Sequence, residues 1–227
     1  MTSPAPWHPV LPAHAVRAAA PPVALRLQGE DLVAWRTASG AVQVWHARCP
    51  HRSVHLALGR VTGERLACAY HGWEFEAGSA RCVAIPALAD LAQVPGQVRA
   101  SVCDAREAAR MLWVYLPPDA HNGTGAPPVI APDMTGDSEF LRSLTLRAGL
   151  APVHAHLQAL DFTALAPSVW QGVLAGQSLH LFTHSVGANL SALHAWWCPP
   201  PVVGDAPTLL SALRRLRSDI ESAGAAC

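Results

Sequence analysis

The chain has 227 residues, about half of them apolar, enough to bury a core in one large domain or two small ones. Its 16 basic residues, all arginine, balance 16 acidic ones, and no basic run occurs, which argues against a nucleic-acid partner. No apolar run is long enough to span a bilayer, and Met1 to Leu11 lacks the basic start and apolar stretch of a signal peptide, so the expectation is a soluble cytoplasmic protein without membrane contact.

Taken in chain order, a first domain spans residues 1–116, of which 23–116 have the texture of an antiparallel β-sandwich or barrel. Short runs rich in β-branched and aromatic residues predict strands at Val23–Leu27, Leu32–Arg36, Val42–His46, Leu66–Ala69, Trp73–Glu76, Cys82–Ile85, Val98–Cys103 and Met111–Leu116. Gly29-Glu30-Asp31 and Ala38-Ser39-Gly40 predict hairpin turns. Residues 117–137, with Pro117-Pro118, Asn122-Gly123 and Pro127-Pro128, have little periodicity and read as a linker. A smaller region, 138–227, follows. It predicts strands at Phe140–Leu146, Ser178–Val186 and Leu190–Trp197 and a helix over Val153–Leu165. A final helix runs from Ala206 to about Ser222, with Asp205 as N-cap and Leu209, Leu210, Leu213, Leu216 and Ile220 on its apolar stripe. The fold class is thus α+β, mainly β.

Six cysteines are present, without the dense spacing of a secreted disulfide scaffold. Cys82, Cys103, Cys198 and Cys227 read as small buried or terminal residues. Cys49 and Cys68 differ, because each sits beside a histidine. The stretch reads Cys49-Pro50-His51, then sixteen residues, then Cys68-Ala69-Tyr70-His71-Gly72-Trp73. Each of two inter-strand loops therefore offers one thiol and one imidazole. A structural zinc site uses such donors. So does a Rieske centre, where one iron takes two thiolates and the other two neutral imidazoles. Cys-x-His with Cys-x-x-His lets each loop supply one ligand to each iron, whereas zinc fingers more often pair like ligands. A chance meeting of four core residues is the third possibility. Gly72 would permit close backbone approach and Pro50 would stiffen the first loop.

Residues 7–116 resemble the Rieske domain of ring-hydroxylating and demethylating oxygenases of the phthalate and vanillate type. The resemblance lies in Trp7-His8-Pro9-Val10, Cys49-Pro50-His51-Arg52, Leu58-Gly59-Arg60-Val61, Tyr70-His71-Gly72-Trp73 and Ile85-Pro86-Ala87. It implies a [2Fe–2S] cluster on Cys49, His51, Cys68 and His71. Respiratory Rieske proteins carry an extra, disulfide-forming cysteine in each loop; here Val54 and Tyr70 stand in those places.

Full-length oxygenases of this family add a helix-grip domain holding a mononuclear iron on two histidines and a carboxylate. The matching stretch here, Asp161 to Trp170, keeps the aspartate but has Ala164 at the first histidine position and Ser168, Val169 or Trp170 at the second. Residues 138–227 thus resemble a truncated helix-grip region, and no mononuclear Fe(II) is expected there. His154, His156, His180, His184 and His194 are the donors from which a displaced iron site would have to be built. Asp161 is a candidate inter-subunit electron bridge, since the family's aspartate links the iron's histidine to a Rieske histidine of the neighbouring subunit. The alternative is a surface or capping aspartate.

Three functions are compatible with these residues. The first is one-electron transfer within an oxygenase system, with a reductase or ferredoxin as donor and a homo- or hetero-oligomer with a full-length oxygenase subunit. The second is an active hydroxylase or O-demethylase with a displaced iron. The third is a non-catalytic scaffold subunit. The retained cluster motif beside the lost triad favours the first.

Overall fold

The computed structural model describes residues 7–116, 138–198 and 206–224. The expected linker, the Asp205 cap and Cys227 lie outside them. In the first unit the strands are β1 (Trp7–Pro12), β2 (Val23–Leu27), β3 (Glu30–Arg36), β4 (Val42–His46), β5 (Arg60–Thr62), β6 (Arg65–Ala67), β7 (Glu74–Glu76), β8 (Cys82–Ala84), β9 (Val102–Cys103), β10 (Ala105–Ala108) and β11 (Met111–Tyr115). They form three antiparallel sheets, ordered β2-β3-β4-β9, β5-β6-β7-β8 and β1-β11-β10. The β2–β3 turn shows how local chemistry sets register. Leu27 pairs with Glu30, leaving Gln28 (φ +52°) and Gly29 (φ +93°) as the two turn residues. Positive φ at both central positions is what a type I′ hairpin demands. The turn therefore sits one residue earlier than the sequence suggests, and Glu30 and Asp31 belong to β3.

Two further differences have physical causes. The strand expected over Val98–Cys103 shrinks to β9, because the Val98 N–H turns back to the Pro95 carbonyl and the Ala100 N–H goes to Ala80. β1 carries Pro9 and Pro12 and gives no strand pattern in sequence. It pairs with β11 on one side only, where a missing N–H is tolerated, and its register shifts between Pro9 and Leu11.

The second unit contains β12 (Glu139–Leu146), α1 (Leu150–Ala159), β13 (Thr163–Ala166), β14 (Val169–Leu174), β15 (Gln177–Gly187), β16 (Leu190–Trp197) and α2 (Ala206–Gly224). The sheet order is β12-β16-β15-β14-β13. The helix expected to reach Leu165 stops at Ala159. Asp161 takes a left-handed φ of +59°, its N–H bonds the Gln158 carbonyl, and the chain turns into β13. The Phe162 ring then lies on Gly172, where even a Cβ would come within 2.5 Å of it. That close packing sets the β13–β14 hairpin in place of the longer helix.

Alternation along β15 and β16 divides the sheet's two faces. Leu179, Leu181, Leu193, Ala195 and Trp197 join Val153, Leu157, Phe162 and the α2 stripe Leu209, Leu213, Leu216 and Ile220 in one apolar core. The opposite face carries Phe182 and Trp196, which pack with Trp7, Met111 and Trp113 of the first unit. Backbone bonds reinforce this seam: the Gln28 and Gly29 N–H groups donate to Ser185 and Val186 at 2.8 and 2.9 Å.

Three histidines are buried along the seam. His184 and His194 stack with ring centroids 5.4 Å apart. His8 joins them from β1, with its Nε2 3.1 Å from the Gln28 amide nitrogen. Burial pushes His8 and His194 down to about 4. It also holds His184 well below the usual histidine range, with His194 and His8 adding to the effect. The unfolded chain therefore binds protons first as pH falls below the ordinary histidine value of 6.5, and stability drops between there and about 4. Each of His8 and His194 contributes on the order of 3 kcal/mol across that window. Urea midpoints should be flat above pH 7 and decline from pH 6.5 to 4, and His8→Gln should make the decline shallower. A midpoint independent of pH over this range would contradict the assignment.

Candidate metal centre

The four expected donors come from two loops. The first lies between β4 and β5 and folds on itself: the Cys49 N–H donates to the Val54 carbonyl at 3.0 Å, and the Ser53 N–H to Cys49 at 2.8 Å. Ser53 accepts a φ of +55° to close that turn. The second loop joins β6 to β7, where the Cys68 N–H bonds Trp73 at 2.9 Å and the Gly72 N–H bonds Cys68 at 3.1 Å. Gly72 has a φ of +70°, and a Cβ there would meet Pro86 Cγ at 2.9 Å. Pro86, part of the Ile85-Pro86-Ala87 segment, thus braces the second loop from outside.

The loops bring the donors together as two like pairs. Cys49 and Cys68, each 3% exposed, sit in the apolar core with Trp35, Trp45, Leu56, Leu66 and Phe75. Both thiols are free of disulfides. Burial pushes the Cys49 thiol up, and the neighbouring Cys68 adds to that rise, while the backbone N–H groups of His51 and Arg52 oppose it. Nearer the surface, His51 Nδ1 and His71 Nδ1 stand 3.2 Å apart. His51 is held below the usual histidine range, by partial burial first and then by His71 and Arg52. Among the described residues, no three His, Cys, Asp or Glu side chains gather around a single ion.

Two aromatic rings hold the histidines, a role not read from the sequence although both residues lie in its motif. Trp73 stacks on His51 with centroids 4.1 Å apart and planes within 8°. Tyr70, 61% exposed, lies over His71 at 3.9 Å. The signal was the aromatic residues flanking His71 in Tyr70-His71-Gly72-Trp73, which only the fold shows to reach both imidazoles.

The remaining sequence candidates scatter. Ala164 lies in the β13 edge strand opposite Trp170. Val169 and Trp170 point into two different apolar clusters. His154, on α1, faces the sheet and lies 3.0 Å from Thr183 Oγ1. His180 lies 3.1 Å from Cys198 Sγ, and His194 Nδ1 lies 2.6 Å from Ser143 Oγ. His180 and His184 do share a face, as their even spacing implies, but His154 is on the other. His156 is half-buried on α1. Asp161 is exposed just beyond α1, and its carboxylate has no partner among the described residues.

Comparison with known proteins agrees with this geometry. Residues 6–95 match the family described as the Rieske [2Fe-2S] domain. That stretch is therefore a Rieske [2Fe–2S] domain, and such a domain binds a [2Fe–2S] cluster. More particularly, several of its relatives are named as oxygenase subunits. It is 43% identical over 110 residues to the 3-chlorobenzoate-3,4-dioxygenase oxygenase subunit of Comamonas testosteroni, covering 48% of this chain and 25% of that protein. It is 30% identical over 187 residues to the phthalate 4,5-dioxygenase oxygenase subunit of Pseudomonas putida, covering 82% of this chain and 36% of that one. The chain thus spans about a quarter to a third of these curated relatives. Its fold resembles that of Pseudomonas putida CBB5 NdmA, with a TM-score of 0.73 and 18% identity, covering 95% of this chain and 80% of that one.

The brace at Gly72 gives a test. Gly72→Ala combines a disfavoured φ with a clash against Pro86 and should cost about 2 kcal/mol or more. Gly63→Ala, also at positive φ (+59°) but in open space, should cost only about 1 kcal/mol. Thermal unfolding of the two variants should rank them in that order; equal losses would remove Pro86 from the account.

Proposed function

We propose that Cys49, Cys68, His51 and His71 hold the [2Fe–2S] cluster, and that the chain carries single electrons as a component of a Rieske-type ring-hydroxylating or demethylating oxygenase system. The observation that carries the reading is the buried cysteine pair beside two imidazole nitrogens only 3.2 Å apart. Two thiols and two imidazoles in like pairs suit two irons with two protein donors each, more than one tetrahedral zinc. The donor chemistry fits as well. A thiol whose ionisation is opposed by burial is one that a bound metal deprotonates, and a histidine held neutral offers its lone pair. The cluster, when bound, supplies one-electron redox chemistry. The protein supplies the dry cysteine floor, the ring-stacked histidines and an exposed rim through which an electron can enter or leave.

On this reading the donor is a reductase or ferredoxin, and the acceptor is a full-length oxygenase subunit in a shared oligomer. The names of the relatives as oxygenase subunits support that placement. So does the stretch Asp161 to Trp170, which forms a hairpin and carries no histidine. Asp161, exposed and unpartnered among the described residues, is the bridge to an imidazole across the subunit boundary.

Protein purified without oxygen should contain two irons and two acid-labile sulfides per chain, and show a Rieske-type paramagnetic signal after dithionite reduction. Cys68→Ser or His71→Ala should abolish both. A third iron per chain would redirect the reading to an oxygenase with its own mononuclear site. Asp161→Asn should leave the signal unchanged and slow electron delivery to a full-length oxygenase on the order of ten-fold. Unaltered delivery would leave Asp161 as a surface residue.

A further inference from the structure

One edge of the C-terminal sheet forms a groove that plays no part in the metal centre. Among the described residues, β12 ends the sheet and pairs with β16 alone. The groove encloses about 630 Å³, with Arg142 to Thr145 of β12 on one wall and Arg214, Arg217 and Glu221 of α2 on the other. Successive strand residues point to opposite faces, so a cleft touching four in a row runs along the strand's edge, where spare backbone N–H and C=O groups point. Positions 214, 217 and 221 form one stripe of α2 along the groove.

The groove already shows what chemistry the edge accepts. Glu221 Oε1 accepts a bond from the Arg147 backbone N–H, one residue beyond β12, at 3.0 Å. The same oxygen accepts a second bond from Arg217 Nε at 3.1 Å. A carboxylate thus bridges a backbone amide next to the strand edge and a guanidinium on α2. Arg142 and Arg214 have no carboxylate partner among the described residues. The walls are net positive, and the two unpaired guanidiniums are suited to further carboxylates.

We propose that this groove binds an extended acidic segment of a partner protein, which adds to β12 as a sixth strand and places carboxylates on Arg142 and Arg214. Four residues of strand edge extend about 13 Å. That is longer than a single carboxylate or phosphate group, and only a polypeptide can pair with the backbone along it. A second copy's β12 would bring its own Arg142 into a groove that is already cationic.

The test uses the full-length chain and a fluorescein-labelled octapeptide of four Glu-Val repeats, with binding read by fluorescence anisotropy. Saturable binding is expected, weakening as sodium chloride rises. The double variant Arg142→Glu/Arg214→Glu should weaken it at least about ten-fold. The same variant should gain binding to the matching Lys-Val peptide, a rescue that an unfolded or merely damaged protein could not give. Should the reversal unfold the sheet by circular dichroism, Arg142→Gln/Arg214→Gln gives the same reading with a smaller loss. The Glu-Val peptide N-methylated at alternate residues should lose binding. Equal binding by the N-methylated peptide, or citrate competing as well as the peptide per carboxylate, would reduce the groove to a simple anion site and overturn strand addition. Unchanged affinity in the charge variants would overturn the proposal outright.

Discussion

The first unit's geometry depends on holding two short loops, from different hairpins, against one another. Neither loop alone presents a matched pair of donors. The backbone closures at Cys49–Val54 and Cys68–Trp73 fix each loop's own shape. The Trp35–Trp45 core beneath and Pro86 beside Gly72 fix one loop relative to the other. Closures made by the chain's own backbone and core reduce the ordering that a bound group would have to impose. The cost lies in residues that must accept positive φ, Ser53 and Gly72.

The second unit has been rebuilt around a different constraint. β12 and β16 pair directly, and the space between sheet and helices is filled by Val153, Leu157, Phe162, Trp170 and the leucines of α2. A face packed in this way contributes stability through apolar burial. Its other face seals against the first unit at Trp7, Trp113, Phe182 and Trp196. Burial in that seam holds three imidazoles below the usual histidine range.

The meeting of Cys49, His51, Cys68 and His71 was legible in the sequence because their spacing is local, and so were most strands of the first unit, whose residues are β-branched or aromatic. The Gln28-Gly29 turn was misplaced by one residue, since either register contains the glycine. The β13–β14 hairpin was missed because Ala164 and Leu165 favour helix, and the contact that overrides them, Phe162 on Gly172, spans ten positions. The buried histidines at 8, 184 and 194 meet only through tertiary packing. The groove between β12 and α2 is equally invisible, because its arginines lie some seventy residues apart.

The pairing of β1 with β11 has a consequence of its own. Trp7 sits directly opposite Tyr115, so the chain enters and leaves the first unit one strand spacing apart. A module whose two ends are neighbours can be spliced into a longer polypeptide with little disturbance to its host. It can also tolerate having its ends joined and reopened at another loop. The unit thus has the geometry of a portable cassette.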